Sequence, residues 1–224
     1  MNIEKSRFHM IEQQIRPWNV FDPTVLNLMA SLPREQFVAA EQKSLAFADL
    51  SLELGHGQLM FSPKQEARML QELALSGDDK ILEVGTGSGF TAALMASQAY
   101  SVLTVDIHDD FITKAQKTLQ TLKLNNVDCE VADIDSEWQP PLNYDVVVIT
   151  AKVITDNLDQ APQSLNRFLS WLGASGKLFL IEGNQHCSHA YLYQKSQNEL
   201  SRQRLFELDT PAIIRQKSKH SFVF

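Results

Sequence analysis

The chain has 224 residues, about 1.5 domains by length, and its 44% hydrophobic and 21% charged content is that of an ordinary globular protein. With 20 Lys+Arg against 27 Asp+Glu the formal charge is −7, which excludes the overall basic footprint of a phosphate-backbone binder. No run approaches the ~18 apolar residues of a membrane helix, MNIEKSRFHM carries no apolar leader core, and Cys129 and Cys187 are too few for a disulfide framework.

These features predict a cytoplasmic protein with reduced thiols, one that engages neither nucleic acid nor membrane. Residues 1–76 read as a helical arm with loops between its helices, the substrate loop among them. Phe8, Ile11 and Ile15 recur at helical spacing before Pro17. Asp22-Pro23 is an N-cap followed by a first-turn proline, with Val25, Leu26 and Met29 on one face. Ser62-Pro63-Lys64-Gln65 has the form of a capping box opening a helix through Ala67, Leu70 and Leu73. From Lys80 the pattern alternates. Strands are expected at 80–84, 101–105, 127–132, 145–150 and 176–181, with helices at 90–97, through Phe111 to Leu122, and through Leu165 to Leu172 up to Gly173. Alternation of this kind implies right-handed βαβ units and a mostly parallel, doubly wound sheet in residues 77–224, forming one structural unit with the arm. Residues 190–194 and 204–208 look like antiparallel edge strands. Trp138, Trp171 and the phenylalanines read as core.

The segment ILEVGTGSGFTAALMA (81–96) places Gly85, Gly87 and Gly89 between a strand and a helix, where backbone amides can approach a ligand closely. The third glycine comes one residue earlier than in G-x-G-x-x-G dinucleotide sites, and Glu83 before the loop would sit badly beside a pyrophosphate. It would suit a cation. Asp106 ends the next strand and can accept both ribose hydroxyls, or cap the following helix, as Asp109 or Asp110 also can. Asp133 follows the third strand, where it can accept from an adenine amino group or stand in a solvated loop. Three carboxylates at successive strand ends point to a cationic nucleoside without phosphate, which is S-adenosylmethionine.

On these residues the sequence resembles the protein-L-isoaspartate O-methyltransferases, and the likeness extends beyond the cofactor loop. It includes MIEQQIRPWNVFDPTVLNLMASLPREQFV, AFAD, LGHGQ, DID with Trp138, YDVVVITA and GASGKLFLIEG, covering most of 8–183. The resemblance implies a Rossmann-like α/β methyltransferase with an N-terminal helical arm. It would esterify the free carboxylate of L-isoaspartyl residues in damaged proteins or peptides and release S-adenosylhomocysteine. Carried over by position, Glu83, Gly85, Thr86, Gly87, Ser88 and Gly89 would surround the methionine end. Asp106 and Ile107 would hold the ribose, Asp133 and Ile134 the adenine, with Thr150 at the next strand end. Gln58 would lie over the transferring methyl, among the substrate residues His56, Gly57, Leu59 and Met60.

One departure stands out. The family loop reads G-Q-T-I-S-x-P, but this chain has Leu59 at the threonine and Phe61 at the active-site serine. Ser62, one residue on, reads better as the helix cap than as its replacement. Transfer to a carboxylate needs no general base, because the nucleophile is already ionised at neutral pH. Losing one hydroxyl that bonds a carboxylate costs about 1.5–3 kcal/mol, so the altered loop is compatible with the same chemistry, with a different acceptor such as a small acid, or with cofactor binding without catalysis. His186-Cys187-Ser188-His189 is too crowded for a metal site, and no metal is expected. The chain is expected to be a monomer or weak homo-oligomer.

Overall fold

The computed structural model describes residues 2–136, 138–155, 160–185, 187–196 and 199–214. The arm opens with α1 (Ile3–Met10), which runs into a single π-helical turn at Ile11–Ile15 and a short turn at Arg16–Trp18. Ile11 and Ile15 are buried as their spacing implies, but Phe8 is 62% exposed and Phe21 64%, so these two phenylalanines are not core. α2 (Pro23–Ser31) is capped by Asp22, whose carboxylate accepts from Thr24 N at 2.7 Å and Val25 N at 3.2 Å. Asp22→Ala is expected to lower the unfolding free energy by about 1 kcal/mol in urea titration.

The arm is not wholly helical. Leu52–Gly55 (β1) and Gln58–Met60 (β2) pair antiparallel, with Leu52 opposite Met60. His56 (φ 52°) and Gly57 (φ 70°) form the turn between them, and positive φ at both central residues matches the right-handed twist of a hairpin. α3 (Pro63–Leu73) follows, with the Gln65 side chain closing back on Ser62 N at 2.9 Å.

The main sheet is built from β3 (Lys80–Val84), β4 (Ser101–Asp106), β5 (Val127–Val131), β6 (Tyr144–Ile154), β7 (Leu172–Gly183), β8 (Ser188–Ser196) and β9 (Glu199–Glu207). Its order is β5-β4-β3-β6-β7-β8-β9, parallel through β7 and antiparallel at the β8 and β9 edge. α4 (Phe90–Ala96) and α5 (Asp109–Thr121) connect the first strands, and α6 (Leu165–Ser170) precedes β7. Side chains alternate strictly across the sheet. Ile81, Val146, Val148 and Phe179 join the arm, α3 and α4 in one apolar cluster, while Leu82, Val147, Ile149 and Leu178 join Phe168 and Trp171 on the opposite face. Strand order switches from one side of β3 to the other between β3 and β6, and the crevice at such a switch point is where open α/β sheets bind ligands.

Arg34 ties the parts of the arm together and rests against α4. It is buried, donates to Ala46 O at 2.9 Å and Phe61 O at 2.6 Å, pairs with Glu66, and lies over the Phe90 ring at 5.0 Å. Burial pushes the Glu66 carboxyl up and the Arg34 guanidinium down, each opposed by the charge of the other.

Candidate active site

A cavity opens at the carboxyl ends of β3, β4 and β6, the place where open α/β sheets bind small-molecule ligands. Its floor is Val84, Gly85 and Gly87, one side carries Val105, Asp106, Ile107 and His108, and Ala132, Asp133 and Ile134 continue it past β5. Thr150 and Ala151 of β6 form the other side, and Leu54, Gln58 and Leu59 reach over from the hairpin.

The glycine turn is held from several directions. Gly85 N and Thr86 N donate to Val105 O at 2.8 and 3.3 Å, and the Thr150 hydroxyl donates to Val84 O at 3.0 Å and Gly85 O at 2.9 Å. Gly85 has φ 101°, and a Cβ there would overlap the Thr150 hydroxyl, so no other residue fits. Gly89 (φ 81°) admits close packing of α4 against α5, since a Cβ would lie 2.7 Å from that of Ala115.

Asp106 lies at the centre of the cavity wall. Its two oxygens accept Gly87 N and His108 N, each at 3.0 Å. It is therefore not the cap of α5, which has no side-chain cap. A carboxylate offers about four acceptor positions, so fixing it with two amides leaves lone pairs for a ligand. Asp133 makes a local turn, accepting Asp135 N at 2.9 Å, and also faces the cavity.

Glu83 differs from the expectation. It is fully buried, accepts from the Thr104 hydroxyl at 2.6 Å, and is absent from the cavity lining. Thr104 also bonds Thr86 at 2.6 Å, so Glu83, Thr104 and Thr86 form a relay that braces the glycine turn from below. Burial pushes the Glu83 carboxyl up to about 8, opposed by the Thr104 hydrogen bond and reinforced by the charges of Asp106 and Glu66. A side chain that is largely neutral at pH 7 and faces the core does not present a charge to a bound cation.

The comparisons agree with this architecture. The family model described as protein-L-isoaspartate(D-aspartate) O-methyltransferase matches residues 5–207. The chain belongs to this family. Relatives bearing the name protein-L-isoaspartate O-methyltransferase include one from Geobacter metallireducens, 33% identical over 83% of this chain and 82% of its own. Another, from Rhodopseudomonas palustris, is 37% identical over 79% of this chain and 69% of its own. Among solved structures, one from Plasmodium falciparum, in complex with S-adenosyl-L-homocysteine, superposes with a TM-score of 0.76 at 16% identity, covering 96% of this chain and 100% of that one. A second protein-L-isoaspartate O-methyltransferase structure gives 0.74 at 20% identity, over 93% and 65%. The Rossmann-like methyltransferase fold is thereby shown.

Within this family frame, the altered loop divides sharply. Gln58 and Leu59 line the cavity, whereas Met60 and Phe61 are buried in the apolar core and Gly57 stands in the turn. Phe61 therefore neither lines nor blocks the cavity; its side chain fills core space and its carbonyl holds Arg34. Ser62 is buried at the start of α3. Thr86, Ser88 and Gly89 belong to the turn but not to the cavity wall, and His56 stacks on the wall residue His108 from outside.

Sequence reasoning missed the far wall. Residues 210–214 return to β6, where Lys152 N donates to Pro211 O and Ile213 N to Lys152 O, both at 2.9 Å. Thr210, Ala212, Ile213 and Ile214 thereby close the cavity, and Phe111 closes it from α5. The only hint was the apolar run Ala212-Ile213-Ile214 in a polar tail. Of the His186–His189 segment, His186 lies outside the described residues, Cys187 is a free thiol bonded to Asn184, and His189 sits against Arg204. No helix among the described residues is long and apolar enough to cross a membrane.

Proposed function

We propose that this protein is an S-adenosylmethionine-dependent carboxyl O-methyltransferase that acts on L-isoaspartyl residues of damaged proteins and so initiates their repair. The observation that carries this reading is the joining of Asp106, Asp133, Gly85 and Gly87 in one cavity with Gln58 of the family loop overhead. The residues present fit the cofactor: Asp106 would accept the ribose hydroxyls, Asp133 the adenine amino group between Ile107 and Ile134, and the glycine turn would admit the methionine end. When bound, S-adenosylmethionine supplies an activated methyl group.

The chain's own contribution is position and dryness. Asp106 is pre-oriented by two backbone amides, so little freedom is lost when it engages a ligand. Leu54, Leu59, Phe111, Ile213 and Ile214 give the region around Gln58 an apolar lining; a ligand seated there would displace water, which strengthens electrostatic interactions. The Gln58 amide can donate to an acceptor carboxylate and fix its approach. No lysine or arginine lines the cavity among the described residues, so an incoming carboxylate is not neutralised by a fixed cation and keeps its nucleophilicity. Two free, part-exposed thiols accord with a reducing cytoplasm.

Incubation with methyl-labelled S-adenosylmethionine and an isoaspartyl peptide is expected to give a base-labile ester. Absence of label from protein that still binds S-adenosylhomocysteine would reject the proposed acceptor. Leu59 favours one alternative, a more apolar acid, because it puts a methyl-bearing wall where the family has a hydroxyl. If isoaspartate is the acceptor, Leu59→Thr should raise kcat/KM on the peptide by about tenfold or more, the worth of one hydrogen bond to a carboxylate. If that ratio falls while a small hydrophobic acid is methylated by the parent, the alternative holds.

A further inference from the structure

We infer that His56, His108 and Asp110 form a binding site for a divalent transition-metal ion, zinc above all, at the rim of the cavity. The three side chains come from two elements far apart in sequence, the β1–β2 turn and the start of α5. His56 Nε2 lies 3.0 Å from Asp110 Oδ1. One ligand atom from each of the three lies within 4.8 Å of the others.

The surroundings arrange the imidazoles. The His56 and His108 rings stack at 4.0 Å with 10° between their planes, and Phe111 meets both edge-on at 5.3 and 5.1 Å. His108 Nε2 is buried and makes no hydrogen bond among the described residues, so the ring keeps an uncommitted nitrogen. His56 occupies the left-handed region at φ 52°, where glycine or asparagine would fit the turn at lower cost.

The donor set suits the ion. Zinc bonds imidazole nitrogen and carboxylate oxygen at about 2.0–2.2 Å, which places tetrahedral ligand atoms roughly 3.3–3.6 Å apart. The His56–Asp110 pair is already that close; the His108 ligand atom lies within 4.8 Å of the other two, and because the two rings stack in near-parallel planes its imidazole must turn out of the stack for its in-plane lone pair to meet the same ion. Two nitrogens and one oxygen form a borderline donor set that favours zinc over magnesium or calcium. The fourth position would face solvent, since His56 and Asp110 are 46% and 47% exposed. Asp110 Oδ2 accepts from the exposed Lys114 Nζ at 3.3 Å.

The site would pin one cavity wall to another. Gln58 and Leu59 come from the same hairpin as His56, while His108 lies two residues beyond Asp106. Zinc and S-adenosylhomocysteine should therefore tighten each other's binding by the same factor. The decisive measurement needs neither cofactor nor turnover, so its failure is separate from failure of the proposed function.

Tag-free, chelator-treated protein is titrated with zinc chloride in a calorimeter. One zinc per chain is expected, weakened about tenfold or more in each of His56→Asn, His108→Gln and Asp110→Asn. Metal-free melting of each variant serves as the folding control. Absence of saturable binding, or a smaller loss in any one variant, overturns the site. Should a variant fail to fold, the cobalt spectrum of the parent decides. Ligand-field bands without a thiolate charge-transfer band support the nitrogen and oxygen donors, and a thiolate band moves the ion to Cys129 or Cys187 and refutes the proposal.

Discussion

Asp106→Ala is expected to weaken binding of S-adenosylhomocysteine by on the order of 10²–10⁴-fold, the largest loss for any single side chain of the cavity. The carboxylate would accept both ribose hydroxyls, and a hydrogen bond to a charged group contributes about 1.5–3 kcal/mol. Two of them amount to about 3–6 kcal/mol, at tenfold per 1.4 kcal/mol. The alanine also frees the amides of Gly87 and His108 that the carboxylate now holds, so the turn loses its brace in the same step. Asp106→Asn should fall between the two. Its amide keeps one acceptor oxygen but presents N–H to one of those same backbone donors. Titration calorimetry at fixed ionic strength measures both variants, with far-UV circular dichroism to establish that the sheet persists. An alanine variant that binds within about threefold of the parent would remove Asp106 from the cofactor site.

Asp106 was also among the most legible residues, and the reason is local. A short apolar run followed by an acid at its end fixes both the strand and the place where the chain leaves it, and β4 does end at Asp106. Lys80–Val84 emerged with its observed bounds for the same reason, because a strand buried on both faces reads as a mostly apolar run, here Ile81, Leu82 and Val84 interrupted only by Glu83, before the glycine turn. The antiparallel edge was legible in Ala190–Gln194 for similar reasons, although β8 is longer.

What escaped the sequence depends on distant partners. β6 continues four residues past Thr150 because Lys152, Val153 and Ile154 pair with Ile181, Glu182 and Gly183, and nothing in AKVI announces that partner. The wall at 210–214 is likewise defined by contacts with Lys152, about 60 positions earlier. The hairpin is a different kind of miss. Gly55-His56-Gly57 is a turn signal, but the segment around it reads only as a loop of the arm, because strands of three and four residues carry too little alternation to register. The place of Phe61 is not legible from spacing: Leu52 and Met60 point inward from the hairpin, and the chain then turns Phe61 into the core as it enters α3.

Glu83 shows how strand parity decides a role, and it yields the strongest expected dependence on pH. Two residues after Ile81, it shares the face covered by the arm and α4, so its carboxyl is sealed beneath the glycine turn, with Oε1 making no hydrogen bond among the described residues. Burial raises it from its usual 4.5 to about 8. Between those values the folded protein holds a proton that the unfolded chain has released, and stability must therefore fall as pH rises through that window. Below about 4.5 both states are protonated, and above about 8 both are ionised, so the dependence is flat outside it. At 1.36 kcal/mol per unit, the loss from this group is on the order of 5 kcal/mol. Glu66 titrates in the same range against Arg34, so the contribution of Glu83 is read as a difference between parent and Glu83→Gln. Urea unfolding at pH 5, 7 and 9 should find the two nearly equal at pH 5 and the glutamine variant more stable by several kcal/mol at pH 9. Parallel stability profiles would mean that Glu83 is ionised in the fold, contrary to its burial. A second readout separates bracing from charge recognition. S-adenosylmethionine carries a sulfonium charge that S-adenosylhomocysteine lacks, so a carboxylate that gripped the cation would, on neutralisation, lower affinity for the first more than for the second. The buried acid described here predicts an unchanged ratio of the two affinities at pH 7, because the turn it supports meets both ligands alike.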